Sequence, residues 1–118
     1  MDAWWLWAPC ASWRTRNADR YTGLWNASTP NPILVIGNRN EPRAAYGNAQ
    51  RAARRLGNAV LLTLNGYGHT SDQDPSACLD RAVRHYLITT TPPPDGTICQ
   101  ADRQPFDPDF GQPLEDRL

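Results

Sequence analysis

Asn58-Ala-Val-Leu-Leu-Thr-Leu-Asn-Gly-Tyr-Gly-His69-Thr-Ser71 reads as an apolar strand running into a glycine-flanked loop with a histidine at its tip. One strand–helix unit upstream, Ile33-Leu-Val-Ile36 runs into a second loop that carries Glu41. Short apolar runs bounded by turn signals suit strands buried on both faces of a parallel sheet. In open α/β sheets the working residues sit outside the carboxyl ends of the strands, so a parallel, right-handed crossover brings Glu41 and His69 to one edge. A strand-end acid followed by a strand-end histidine matches the last two members of a hydrolase triad in the chain order Ser, Asp/Glu, His. The first member has no counterpart, because no Gly-x-Ser-x-Gly occurs in the 118 residues.

Pro30-Asn-Pro32 punctuates the chain before the first strand, and Gly37-Asn38 ends that strand. Between the strands, Tyr46, Ala49, Ala52, Ala53 and Leu56 recur at helical spacing, with Arg51, Arg54 and Arg55 on the other side. Gly57-Asn58 supplies the stop. After His69, Asp74-Pro75-Ser76 caps a second helix through about Leu87, with Leu79, Ala82, Val83, Tyr86 and Leu87 as its apolar stripe. From Thr89 onward, Pro92-Pro-Pro94, Asp107-Pro108 and an acidic end predict an extended tail. The class is therefore α/β, with a β-α-β-α order. Two parallel strands cannot bury both faces of a sheet, which predicts the edge of a larger domain. Residues 1–30 hold Trp4, Trp5, Trp7, Trp13 and Trp25 with no sustained period, which predicts an irregular lead-in whose rings pack on a larger body. Exposed, they would form an apolar patch. Asn26-Ala-Ser28 fits a glycosylation sequon, a short pattern common by chance.

Composition excludes several classes. The formal charge is zero with both signs interspersed, so neither a nucleic-acid face nor an anionic membrane surface is expected. All 12 basic residues are arginine, which reads as coding bias rather than phosphate recognition. The hydrophobic fraction of 40% and the 11 prolines and 8 glycines describe a loop-rich globular chain with a modest core. No run approaches the roughly 20 apolar residues of a membrane span. The start is apolar, but it is short and has Asp2 where a signal peptide has its basic region, so no export address is expected in the chain as given. Cys10, Cys78 and Cys99 make an odd count without zinc spacing. Cys78 with Cys99 is the plausible internal pair, tying a helix start to the proline-rich tail, and such a bond stabilises by about 3 kcal/mol. The alternative is three reduced, partly buried thiols.

The chemistry of the loops asks for His69 as general base toward a serine hydroxyl and then as acid toward the leaving group, with Glu41 holding the tautomer. Gly66 and Gly68 would permit the tight backbone path that exposes the histidine. The plainer readings stand beside this one. Asn65-Gly66 alone signals a β-turn, and a histidine on a glycine loop is often a surface residue. Asp72 and Asp74 follow His69 closely and suit loop and capping duty better than the acid role. His85, beside Tyr86 in the second helix, reads as a helix-surface or satisfied core histidine. A metal site would have one histidine in range, so neither metal nor cofactor is expected.

Four segments in order carry a resemblance: Asp19-Arg-Tyr-Thr-Gly-Leu-Trp25, Asn31-Pro-Ile-Leu-Val-Ile-Gly-Asn38, Ala53-Arg-Arg-Leu56 and Asn65-Gly-Tyr-Gly-His-Thr-Ser71. The chain resembles the C-terminal, TAP-like domain of secreted actinobacterial tripeptidyl aminopeptidases, α/β-hydrolase serine peptidases related to proline iminopeptidases. The likeness runs from about Trp7 to Phe106, with residues 31–106 as the domain, 1–30 as lead-in and 107–118 as tail. Cys78 and Pro92-Pro-Pro-Asp-Gly-Thr-Ile-Cys99 also resemble that family, which supports the disulfide.

The resemblance implies that His69 matches the triad histidine. The family's acid lies in Asn-x-x-Asp-Pro-x-Thr-Pro, which stands here as Asn38-Arg-Asn-Glu41-Pro42-Arg-Ala-Ala45. Glu41 thus occupies a position where aspartate is usual, and Ala44-Ala45 replaces Thr-Pro. The longer arm shifts the carboxylate by about one methylene, and a misplacement on the order of 1 Å can cost ~100-fold in rate. The family's nucleophile elbow, oxyanion hole and cap lie upstream of this region. The expectation is the C-terminal part of an extracellular serine exopeptidase, inactive without its N-terminal α/β-hydrolase portion and acting on peptide when complete. The alternative is a non-enzymatic, degenerate hydrolase module that binds a protein partner.

Overall fold

The computed structural model describes residues 3–13, 17–71 and 73–108. Asp72, the side chains of Trp4 and Trp5, and residues 109–118 of the tail lie outside the described residues. The elements run α1 (Ala3–Ala11), β1 (Ile33–Asn38), α2 (Tyr46–Arg55), β2 (Ala59–Asn65), α3 (Ala77–Thr89) and β3 (Ile98–Gln100).

The two apolar runs pair in parallel, with Ile33 opposite Ala59 and Asn38 opposite Leu64. On its other side β2 pairs in parallel with β3, where Leu64 faces Cys99. The sheet is open and ordered β1-β2-β3. The segment after Thr89 is therefore not wholly an extended tail, since it contributes a third strand. Three residues are too few for any hydrophobic period to show.

Side chains alternate along β2. Leu62 and Leu64 are fully buried and join Leu79, Cys99 and Ala101 in the core, flanked by Leu34, Ile36, Ala82 and Val83. Thr63 points the other way, and its hydroxyl shares a 2.7 Å hydrogen bond with the Tyr46 hydroxyl. Gly37, opposite Thr63, leaves room for α2, because a Cβ there would come within 2.7 Å of Ala49 Cβ. Helices α2 and α3 thus cover opposite faces of the sheet.

The start of α3 is fastened to β3. Ser76 Oγ accepts from the Leu79 N–H at 3.3 Å and donates to the Gln100 carbonyl at 2.7 Å. Asp102 Oδ2 accepts the Ala77 N–H at 2.9 Å. The Cys78–Cys99 disulfide crosses the same junction with Cα atoms 5.6 Å apart, and Cys10 is free and exposed. The helix runs to Thr89, two residues past the predicted end, but its apolar stripe is narrower than predicted because Leu87 is exposed. Its Tyr86 hydroxyl donates to the Pro32 carbonyl at 2.8 Å.

The lead-in departs from expectation in two ways. Part of it is helical, as α1, and Trp7, Trp13 and Trp25 are largely exposed. Both faces of the small sheet are covered by α2 and α3, and Trp25 lines a shallow concavity with Ala52, Arg55 and Leu56 at the end of α2. Trp25 also meets Tyr21 edge to face, with ring centroids 5.2 Å apart. The backbone of the lead-in crosses Gly57, where a Cβ would sit 2.5 Å from the Asn26 carbonyl oxygen. Close approach, rather than a left-handed helix stop, is what requires that glycine. Among the described residues no helix is long and apolar enough to cross a membrane.

Candidate functional site

Beyond the last ladder pair, the β1 and β2 loops stay joined. The Arg39 N–H donates to the Leu64 carbonyl at 2.8 Å. Asn40 donates to the Gly66 carbonyl twice, from its backbone at 3.1 Å and from Nδ2 at 3.0 Å. This pairing sets Glu41 beside His69, with Oε1 2.7 Å from Nδ1. The Glu41 side chain is 4% exposed, whereas that of His69 is 35% exposed.

Backbone donors converge on the acid. The Thr70 N–H donates to Oε2 at 2.6 Å and the Arg43 N–H to Oε1 at 3.0 Å. The Thr70 N–H is the main reason that the Glu41 carboxyl is held down to about 2, from an ordinary 4.5; partial desolvation opposes it, and Arg43, His69 and Ala44 add to the lowering. Thr70 adopts φ 63°, a left-handed conformation that strains a β-branched residue. An ionised Glu41 accepts from Nδ1–H, which leaves Nε2 as the ring nitrogen with a lone pair. The arrangement can orient an imidazole, fix its tautomer and stabilise its protonated form.

A second cluster lies beneath the histidine loop. Asn38 and Asp74 are both buried. Asp74 Oδ2 accepts from the Tyr67 N–H at 2.6 Å, the Gly68 N–H at 3.0 Å and Asn38 Nδ2 at 3.1 Å. Asn38 also donates to the Gly68 carbonyl at 2.8 Å and accepts the Gly66 N–H at 3.1 Å. A Cβ on Gly66 would overlap the Asp74 carboxylate, and one on Gly68 would lie 2.8 Å from the Gln73 carbonyl oxygen. Neither glycine has a positive φ. Their role is to admit Asp74, not to supply a left-handed path.

The structure thus brings Glu41 and His69 together, and the extra methylene of Glu41 does not lengthen the contact. Asp74 anchors the loop, while Ser76 is the residue that caps α3. His85 lies exposed on α3, away from this edge. Sequence reasoning passed over Thr70 and the structural part of Asn38. For Asn38, the signal was a polar residue closing an apolar strand directly before the acid loop.

A parallel α/β sheet with an acid and a histidine on successive strand-end loops has the construction of an α/β hydrolase. The chain matches the TAP-like protein family over residues 1–99 and belongs to that family. Carboxylesterase B of Mycobacterium tuberculosis (strain ATCC 25618 / H37Rv) is 35% identical over 80 residues, which cover 61% of this chain and 15% of that protein. Serine protease Hip1 of the same strain is 34% identical over 68 residues, covering 58% of this chain and 13% of that protein. The chain therefore spans about 15% of the length of the first relatives it matches. No solved structure matches it.

Proposed function

We propose that this chain is the C-terminal part of a serine exopeptidase of the tripeptidyl aminopeptidase type, supplying the histidine and acid of a triad whose serine lies on another part of the hydrolase. The observation that carries this reading is the 2.7 Å contact between His69 Nδ1 and the buried Glu41 carboxylate at the strand ends. In the completed site, His69 Nε2 takes the serine hydroxyl proton as the serine oxygen attacks the scissile carbonyl. The peptide C–N bond then breaks, the acyl group stays on serine, and the same nitrogen returns the proton to the leaving amine. Water repeats the cycle to release the acid. Glu41 stays ionised throughout and stabilises the imidazolium.

Two further features support this assembly. Among the described residues strand β1 pairs only with β2, so its outer edge offers backbone donors and acceptors to a further strand. The disulfide suits an oxidising, extracellular setting.

The test is labelling by a fluorophosphonate probe together with release of N-terminal tripeptides. The purified chain alone should do neither. Both activities should appear when it is co-expressed with a polypeptide bearing the serine elbow. Turnover by the chain alone would overturn the proposal.

The exposed Trp7, Trp13 and Trp25 favour a second reading, a non-enzymatic module that binds a protein partner. A cooperative thermal transition of the isolated chain, with no labelling in any combination, would select that reading.

A further inference from the structure

The loop that presents His69 is gripped by two buried side chains, Asn38 at the end of β1 and Asp74 further along the same loop. Across Gly66, Tyr67 and Gly68, all three N–H groups are taken by Asn38 or Asp74. The Gly68 carbonyl, whose peptide bond leads directly into His69, accepts from Asn38 as well. Asn38 and Asp74 are in turn joined to each other at 3.1 Å.

The neighbouring secondary structure has fastenings of its own. The start of α3 is held by Ser76, Asp102 and the Cys78–Cys99 bond. The ends of β1 and β2 are held by their own ladder and by the Arg39 N–H on Leu64. What remains for Asn38 and Asp74 to hold is the loop itself. Burying an amide and a carboxylate is costly unless their partners are in place, so the pair tolerates only one loop position.

We propose that Asn38 and Asp74 form a clamp that sets the distance and orientation of His69 relative to Glu41, making both of them positioning residues of the site. The proposal rests on His69 and Glu41 being the working pair, and it adds the device that keeps their contact short. A loop shift on the order of 1 Å would break that contact and cost ~100-fold in rate in the completed hydrolase.

NMR of the full chain labelled with ¹⁵N-histidine tests the clamp directly. The chain has two histidines, and the exposed His85 on α3 serves as the internal reference. The parent chain should show a downfield, hydrogen-bonded Nδ1–H resonance for His69. That resonance should vanish in Asp74→Ala and in Asn38→Ala, and His85 should not move. Asp74→Asn should retain it, because an amide oxygen can stand where Oδ2 accepts its donors. Retention of the resonance in a folded Asp74→Ala or Asn38→Ala chain would overturn the clamp. Loss of the circular dichroism signal in both variants would overturn it too, because the residues would then be holding the domain and not the histidine. Glu41→Gln separates the two levels. If it abolishes the resonance while the alanine variants do not, only the clamp fails; if the parent lacks the resonance or Glu41→Gln leaves it unchanged, the working pair itself fails.

Discussion

Glu41 reaches His69 at 2.7 Å even though its side chain is one methylene longer than the aspartate usual in the motif it resembles. The added length is taken up by anchoring, since Oε2 is held by the Thr70 N–H and Oε1 also accepts from Arg43. The loop around the acid is fitted to glutamate, and its donors come from both sides of the histidine.

That fit inverts the usual expectation for a conservative replacement. Glu41→Asp should withdraw the carboxylate from both the ring and the Thr70 N–H, lowering kcat of the completed hydrolase by ~100-fold. Glu41→Gln keeps the length but stabilises the wrong tautomer, with an expected loss on the order of 10³- to 10⁴-fold. Steady-state kinetics of the co-expressed hydrolase checks both. An aspartate variant as fast as the parent would show that the acid position does not depend on side-chain length.

The lowered pKa of Glu41 predicts a pH dependence of stability with a definite sign. Its ordinary value is 4.5 and its folded value about 2, so on acidification the unfolded chain takes up the proton first. The stabilisation is complete above the ordinary value, declines as the pH falls below it, and is gone once the pH passes about 2. Thermal unfolding of the parent and of Glu41→Gln should therefore differ most near neutral pH and converge toward about pH 2. A difference that does not change across that window would contradict the assignment.

Much of this architecture was legible because the signals were local. The apolar runs Ile33–Ile36 and Ala59–Leu64 carry the strand signal within themselves, and the alanine and arginine spacing of α2 shows its two sides. Glu41 and His69 could be placed on one edge because parallel strands put successive loops at the same end. Strand β3 was hidden by its length, since its pairing with β2 depends on a partner far away in sequence. The Asn38–Asp74 pair was hidden for a related reason. Its two residues are 36 positions apart, and each taken alone reads as a turn or capping residue. The exposure of Trp7, Trp13 and Trp25 depends on what the lead-in meets in three dimensions, which no local pattern encodes.

Reduction of Cys78–Cys99 should be felt well beyond the bond. The cysteines are 21 residues apart, and the link joins the start of α3 to β3 within the core. Releasing a loop of that size should lower stability by about 3 kcal/mol. Urea unfolding with and without a reductant measures the change, and coincident curves would show that the hydrogen bonds of Ser76 and Asp102 suffice to hold the junction.

Two glycines offer a matched comparison of steric and conformational costs. An added methyl at Gly66 would overlap the Asp74 carboxylate, and relief requires that carboxylate to leave the Tyr67 and Gly68 N–H groups. Gly66→Ala should therefore destabilise by about 1–3 kcal/mol as an overpacked site and disturb the His69 contact as well. At Gly96 the surroundings are open, but the backbone φ is +78°. Gly96→Ala should cost about 1 kcal/mol from the left-handed conformation alone and leave His69 untouched. Denaturant midpoints together with the His69 Nδ1–H resonance separate the two cases. If Gly66→Ala left that resonance intact, the carboxylate and the histidine loop would be free to move independently, contrary to the coupling that their shared hydrogen bonds require.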